Sequence, residues 1–489
     1  MMKHSHRSRR GNAALFAAFM LLPLSLLAGI GVDFGRAYVA QSRLSQAVDA
    51  AALAGGRKLS VEDPTTDANT YFQANFVAAS EKVILPTFTV TPSDGNNLLT
   101  VNARGTIETT FLKLAGWNTL PVAATATARR TTLGMELALV LDVTGSMDGA
   151  PITQLRTAAT TLVDILFGTK STSDTLYVSV VPFTASVNFG TSRLDWMAGG
   201  AVPAASFAPH TWRGCTEARA APEDESDTPP VAGPGFSGTP KPFTPFLFRS
   251  TIGSIAPVLS DNDWDTATKL PSDTSTTTAA TAFTPFNDRT GPNLGCGQPM
   301  AGLDNNRDRI KAIIAALRTS HRNGTIIPVG LQAGWMSISP KWRGLWGTNA
   351  WASTTPDGFP LDYNTPYMQK VLLLITDGQN NWFQYKPPQP DYTAYGRLAE
   401  RRLGASIATN GAAKAELDVR TARMCTKIKQ QNVIIYTITT GTGVDAVTKT
   451  LFSNCATNAN YYYDAPSASQ LNAIFTQIGS QLSNLRLER

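Results

Sequence analysis

Leu137-Ala138-Leu139-Val140-Leu141-Asp142-Val143-Thr144-Gly145-Ser146-Met147 is the stretch that decides the reading of this chain. Its unbroken apolar start, without polar alternation, reads as a strand buried on both faces. A carboxylate and then hydroxyls follow at every second residue on the loop that leaves the strand, and Gly145 lets that loop curl. A second apolar run, Val371 to Ile375, ends in Thr376-Asp377-Gly378 and puts another carboxylate in the same kind of place. In an open α/β sheet, ligands bind beyond the carboxyl ends of the strands, where strand order reverses. A third loop, His321-Arg322-Asn323-Gly324-Thr325, offers a hydroxyl at Thr325, at the position of a cap for the helical run that follows. Asp142, Thr144, Ser146, Thr325 and Asp377 are hard oxygen donors, suited to Mg2+, Mn2+ or Ca2+ rather than zinc. They leave a coordination position for an acidic group from a partner.

Outward from this stretch, strands alternate with amphipathic helices. Ile152, Leu155, Ala159, Leu162, Val163 and Leu166 recur at helical spacing, with Asp148 placed to cap that helix. Strands follow at Leu176 to Val181, Val371 to Ile375 and Val433 to Ile438. Further helices carry Ile310 to Leu317, end at Met424 to Lys429, and close the chain with Leu471, Ile474, Phe475, Ile478 and Leu482. Such βα repeats predict a doubly wound, mostly parallel sheet, here over residues 134–489. Tyr461-Tyr462-Tyr463 reads as strand packing.

The 489-residue chain begins differently. Residues 13–32 carry no charge and, at about 20 residues, suffice to cross a bilayer core as a helix. Lys3, Arg7, Arg9 and Arg10 flank that stretch, so the positive-inside rule puts residues 1–10 in the cytoplasm, the span at 11–32 and the rest outside. A signal peptide has a shorter apolar core and a cleavage site, whereas here the helical pattern runs on to Leu53 with Leu44, Ala47, Val48 and Ala51 on one face. Asp33, at the membrane exit, either sits in water or pairs with a basic group on a neighbouring helix. Residues 33–133 then read as a helical extension and a small α/β unit: a helix near Ala68 to Ser80, strands at Phe88 to Thr91 and Leu98 to Val101, a turn at Asp94 to Asn97, a helical piece at Phe111 to Leu114, and a strand at Val122 to Ala128. The same four basic residues account for most of the formal charge of +6, and no basic stripe follows them, which argues against nucleic acid as a partner.

Residues 195–300 interrupt the α/β order with Pro, Thr, Ser, Ala and Gly, and Ala221 to Pro240 and Ser272 to Thr284 read as irregular or mobile loop. Cys215 and Cys296 bracket this insertion; Cys425 and Cys455 bracket a helix–strand–loop unit. An even cysteine count in an exported chain reads as two disulfides, and of the three pairings 215–296 with 425–455 is favoured. No two cysteines have the close spacing of a zinc site.

The set Asp142-x-Thr144-x-Ser146, Thr325 and Thr376-Asp377-Gly378 resembles the metal-ion-dependent adhesion site of von Willebrand factor A domains, with Thr144 where many have Ser. Arg10-Gly11-Asn12-Ala13, Val32-Asp33-Phe34-Gly35-Arg36 and the run Leu44 to Ala54 resemble the N-terminus of TadG-like proteins of the tight-adherence (Flp) pilus system. So do Val181-Pro182-Phe183, Gly324-Thr325 with Gly334-Trp335, Ser339-Pro340 and Lys370-Val371-Leu372. The resemblance implies a single-pass protein of the bacterial inner membrane, its bulk periplasmic, that serves pilus assembly, adhesion and biofilm formation alongside other pilus or envelope proteins. It departs from the prepilin-like pattern in that Gly11 is followed by Asn12-Ala13-Ala14-Leu15-Phe16, without the Glu of a cleavage site.

Two readings compete with metal-assisted docking: a pseudopilin-like subunit whose A domain is passive, and an adhesin exposed at the cell surface or outer membrane. An enzyme is not expected. Ser146 lacks the Gly-x-Ser-x-Gly elbow, and the histidines are His4, His6, His210 and His321, the first two cytoplasmic and His210 in the insertion.

Overall fold

The computed structural model describes residues 9–58, 63–77, 82–93, 98–129, 134–200, 211–247, 292–320, 324–352, 354–382 and 392–485, with backbone alone for 9–19, 21–26, 57, 58, 86, 129, 468, 484 and 485. The chain divides into two compact units, Met1–Thr132 and Leu133–Glu488.

In the first unit, α1 (Arg9–Lys58) is followed by α2 (Pro64–Asn75) and a three-stranded antiparallel sheet, β1 (Val83–Ser93), β2 (Leu98–Glu108) and β3 (Thr119–Arg129). Asp63 caps α2 by accepting from Thr65 N at 2.9 Å, and Pro64 fills its first turn, so this helix starts earlier than the apolar pattern suggested and ends at Asn75. Leu44, Ala47, Val48 and Ala51 of α1 are fully buried against Leu99, Val101 and Ala103 of β2 and Val122 of β3, which is the face the sequence marks. Asp33 corrects its expectation: it is 2% exposed, and its partners are three backbone amides of the turn after β2 together with the nearby Arg36. Among the described residues no helix is long and apolar enough to cross a membrane. The side chains of residues 11–19 and 21–26, which carry most of the membrane-span expectation, lie outside the description, as does the turn at Asp94 to Asn97.

The second unit holds β4 (Gly134–Asp142), α3 (Ala150–Phe167), β5 (Leu176–Phe183), the short pair β6 (Val187–Asn188) and β7 (Cys215–Thr216), and β8 (Ala301–Asp304). Then follow α4 (Arg307–Ala315), α5 (Ile327–Ile338), β9 (Met368–Thr376), α6 (Asn410–Gln430), β10 (Ile434–Thr440), α7 (Ala446–Cys455), β11 (Tyr462–Ala465) and α8 (Ala468–Leu485). The six-stranded sheet runs β11-β10-β9-β4-β5-β8, parallel except for the edge pair β5–β8. Strand order therefore reverses between β4 and β9. Alternate residues of these strands serve two cores: Leu137, Leu139, Leu141, Leu373 and Ile375 lie with α3, α4 and α8, whereas Ala138, Val140, Leu372 and Leu374 lie with α5, α6 and α7. That is why both runs are continuously apolar. Every residue of α5 is buried. A Cβ on Gly334 would overlap Val140, and one on Gly330 would overlap Phe183, so both glycines let α5 press onto the sheet.

The described part of the insertion differs from what its composition suggested. Residues 201–210 and 248–291, which include Ser272 to Thr284, lie outside the description. Residues 211–247 are built into the domain. Asp224 is held by Arg420 and by Tyr395 (2.9 Å), Glu225 accepts from Arg423 Nε at 2.9 Å, and Gln332 donates to the carbonyls of Glu223 and Ser226 at 2.8 Å each. Asp227 accepts from Ser339 (2.6 Å) and Tyr363 (3.0 Å). Asp224 and Glu225 thus anchor this segment onto α6, and Asp227 anchors it to Ser339, just past α5.

Both favoured disulfides are present, Cys215–Cys296 and Cys425–Cys455. The second ties α6 to the end of α7 across a separation of 30 residues. Changing both Cys425 and Cys455 to Ala is expected to lower unfolding free energy by roughly 3–4 kcal/mol through restored denatured-state freedom. Urea denaturation of the oxidised parent and the variant measures this, and equal midpoints would contradict it.

Candidate metal centre

Asp142 is the last residue of β4, and Thr376, just before Asp377, is the last of β9. Both carboxylates therefore stand at the switch point of the sheet, where the two neighbouring loops diverge. The loop after β4 curls through a 3-10 turn at Gly145–Met147, with Met147 N donating to Thr144 O at 3.0 Å.

One chain of hydrogen bonds links these oxygens. Asp142 is fully buried; its Oδ1 accepts from Thr144 N (2.9 Å) and Thr144 Oγ1 (2.7 Å), and its Oδ2 from Thr376 Oγ1 (2.6 Å). Thr144 Oγ1 lies 3.1 Å from Ser146 Oγ, which donates to Asp377 Oδ1 at 2.7 Å. Burial rises steeply along this path, from the exposed Ser146 to Asp142, so the cluster opens to solvent on one side.

The structure thus brings Asp142, Thr144, Ser146 and Asp377 together and adds Thr376. Thr325 is brought near differently. It exchanges backbone hydrogen bonds with Asn381, 2.9 Å each way, and among the described residues its hydroxyl makes no bond to the cluster. Nor does it cap α5: Asn380 Oδ1 accepts from Ile327 N at 2.8 Å and takes that role. His321 to Asn323 lie outside the described residues. Asp148 is also not the cap of α3, whose N-cap is Gly149; it accepts from Thr319 Oγ1 at 3.1 Å.

Sequence reading missed Ser320. Its backbone N donates to Val143 O at 2.8 Å, it bridges to Thr144, and its buried hydroxyl has no hydrogen-bond partner among the described residues. A lone Ser beside a polar loop carries no periodic signal that would mark it.

The electrostatics ask for a cation. Burial pushes the Asp142 carboxyl above its ordinary range, against the hydrogen bonds from Thr376 and Thr144. Burial and then the neighbouring Asp142 charge push Asp377 up to about 7. Among the described residues no basic side chain pairs with either, and no group of three or more His, Cys, Asp or Glu gathers elsewhere as a metal cluster. Two adjoining carboxylates with hydroxyl donors around them fit a hard divalent ion, since buried charges are paired or ligate metal.

A pH dependence follows. A carboxyl raised to about 7 keeps its proton through the range where the unfolded chain has lost its own. The metal-free fold therefore binds more protons than the unfolded chain, and its stability falls as pH rises from the ordinary carboxylate range to about 7. A cation must displace the same proton, so Mn2+ affinity is expected to rise by up to about tenfold per pH unit below 7 and to level off above it. Calorimetric titrations at about pH 5.5, 6.5 and 7.5, on either side of the raised carboxyl, check this, and a flat profile would contradict it.

The sheet is doubly wound with one antiparallel edge strand, and the Asp-x-Thr-x-Ser loop stands at its switch point, as in the arrangement that the sequence resembles. Residues 11–58 match the family described as putative Flp pilus-assembly TadE/G-like, which is consistent with the resemblance that the motifs of this segment carry. No curated protein matches the chain. Solved structures with some likeness include proximal thread matrix protein 1 of the mussel byssus, at 12% identity and a TM-score of 0.31, over 72% of this chain and 46% of that one. The pilus adhesin SpaC of Lactobacillus rhamnosus GG is 10% identical with a TM-score of 0.35, over 83% of this chain and 34% of the adhesin. The von Willebrand factor domain of the type V pili tip protein Mfa5 of Porphyromonas gingivalis is 10% identical with a TM-score of 0.35, over 73% of this chain and 97% of that domain. This chain thus spans less than half of the byssus protein and about a third of SpaC. Likeness this low leaves the site to be read from its own residues.

Proposed function

We propose that this protein is a membrane-anchored component of Flp-type pilus assembly that docks another pilus or envelope protein through a divalent cation. Asp142, Thr144, Ser146 and Asp377 would hold the ion, with Thr325 on the adjoining loop. Mg2+ is the physiological candidate, and Mn2+ or Ca2+ suit the same oxygens. The bound ion would supply positive charge at the open side of the cluster, where a partner's acidic side chain completes its coordination. The carrying observation is the two carboxylates at the switch point, Asp142 fully buried and Asp377 half-buried, linked through Thr144 and Ser146 and without a basic partner among the described residues.

The family match over residues 11–58 supports the pilus setting. The uncharged stretch 13–32 behind a basic flank supports an inner-membrane anchor with the bulk of the chain periplasmic. Adhesion and biofilm formation follow as consequences of assembly. The test is Asp142→Ala and Asp377→Ala in cells. Both are expected to abolish piliation with protein level intact, and capture of the partner by the wild type is expected with Mg2+ and not with chelator. Normal piliation in both variants would overturn docking.

That outcome would favour the second reading, a pseudopilin-like subunit that acts through α1. The confinement of the family match to this helix speaks for it. There, exchange of residues 13–53 for an unrelated anchor would not be tolerated.

A further inference from the structure

The register between α1 and its sheet points one end of the first unit toward the apolar stretch. Followed toward the N-terminus of α1, Gly56 meets Ala128, and Gln41 exchanges hydrogen bonds with the backbone of Ala123, whose N donates to Gln41 Oε1 at 2.9 Å. Arg36 then reaches Thr110 Oγ1 at 2.9 Å, Asp33 takes the amides of residues 110–112, and Gly29 lies against Phe111 so closely that a Cβ would overlap the ring. The β2–β3 hairpin thus runs alongside the helix, and its tip, residues 109–118, lies level with Gly29 to Arg36. From Gln41 to Gly29 the helix descends about 18 Å at 1.5 Å per residue.

That tip is rigid and apolar. Asp33 accepts from Thr110 N (2.9 Å), Phe111 N (2.7 Å) and Leu112 N (2.8 Å). Thr109 N donates to Asn118 O at 3.0 Å and Trp117 N to Leu112 O at 3.1 Å, while Gly116 turns the chain at φ +88. On this frame Leu114 is 77% exposed, Trp117 59% and Phe111 38%, and Lys113 stands among them. Val32, Phe34 and Tyr38 are exposed on α1 at the same level. Large apolar side chains so placed gain by leaving water.

We propose that residues 111–117 form a foot that enters the headgroup–acyl boundary of the bilayer beside α1. The proposal rests on the anchor reading above. The occupant is lipid because the tip overlaps the last turn of the uncharged stretch 13–32, where a spanning helix leaves the acyl region, and Trp and Tyr concentrate at that depth. Lys113 can lay its stem along the apolar surface and bring its ammonium to lipid phosphates. Asp33 is then a positioning residue that fixes the foot to the helix.

The test uses the full chain reconstituted in phosphatidylcholine–phosphatidylglycerol vesicles, with brominated lipids as fluorescence quenchers. Of nine tryptophans Trp117 alone lies before residue 133, and the difference between wild type and Trp117→Phe isolates its emission. Flotation and resistance to carbonate extraction read the anchor independently. The expected result is an integrated protein whose Trp117 emission is blue-shifted and quenched roughly twofold by bromine near the headgroup end of the acyl chain, and little by bromine at the chain terminus. Leu114→Glu should remove that quenching while the protein stays integrated. An integrated protein with water-like, unquenched Trp117 emission would overturn the foot and leave the anchor standing. Blue-shifted but unquenched emission would mean that protein, such as a second copy, covers the tip, which also overturns it. A wild type that neither floats nor resists carbonate would overturn the anchor reading and the foot together.

Discussion

Asp142→Asn is expected to raise the melting temperature of the metal-free protein and to remove its response to Mg2+ and Mn2+. Without a cation, Asp142 is a fully buried carboxyl that burial drives toward its protonated form, beside Asp377, which is pushed up to about 7. An amide of the same shape keeps Oδ1 as the acceptor for Thr144 N and Thr144 Oγ1. Its Nδ2 can donate to Thr376 Oγ1, whose own proton can turn to Gly378 O at 3.0 Å. The swap thus relieves charge crowding while keeping partners for Thr144 and Thr376, and the carboxyl of Asp377 should return toward its ordinary range. It also removes the negative charge that would draw the ion. Wild type should gain about 2.7 kcal/mol at a metal concentration a hundred times Kd, and the variant none. Scanning calorimetry with metal and with chelator measures both effects. A metal-free variant that melts below wild type, or one that still responds to Mn2+, would contradict this reading.

Lys370→Met is expected to lower stability by about 3–5 kcal/mol, although it lies at the opposite end of the same strands. Glu136 and Lys370 are register partners on β4 and β9, and they form an ion pair that is 1% and 2% exposed. Lys370 also donates to Ile338 O at 2.8 Å and faces the ring of Tyr363, while Glu136 accepts from Leu361 N at 2.7 Å. Burial pushes the Glu136 carboxyl up and the Lys370 ammonium down, and each is held charged by the other. Removing only the lysine leaves a carboxylate with no counter-charge in a dry place. Pairing Lys370→Met with Glu136→Gln should recover most of the loss, because the charge to be compensated is gone as well. Urea denaturation of both variants and of the parent tests this. Metal affinity should be unchanged in the double variant, since the pair stands at the far end of the sheet strands from Asp142 and Asp377.

Legibility in the sequence followed physical regularity. The strands β4, β5, β9 and β10 announce themselves because both their faces are buried, so each carries a run of apolar residues without polar alternation, and the helices between them keep one apolar face. Asp142, Thr144, Ser146 and Asp377 are readable because a strand end fixes where a loop begins, and the structure links them in one hydrogen-bond path. Thr376 was visible as part of Thr-Asp-Gly, but only the structure shows its hydroxyl on Asp142. Ser320 comes to Thr144 through tertiary contact, which local sequence does not encode. The same holds for Asp33: a carboxylate after an apolar helix looks solvated until the hairpin tip from residues 110–112 folds back on it. The described part of the insertion, residues 211–247, was not legible because Asp224, Glu225 and Asp227 resemble loop residues by composition. Their partners, Arg420, Arg423 and Ser339, lie far along the chain.

Whether the cluster at the β4–β9 switch point binds a divalent cation is decided by calorimetric titration of Mg2+ and Mn2+ into the oxidised full chain, wild type against Asp142→Ala. Saturable binding of one ion per chain in the wild type, absent from the variant, is the result expected. A well-folded wild type that gives no binding heat with either ion at neutral pH, and no shift in melting temperature, would leave a doubly wound sheet with a passive switch point.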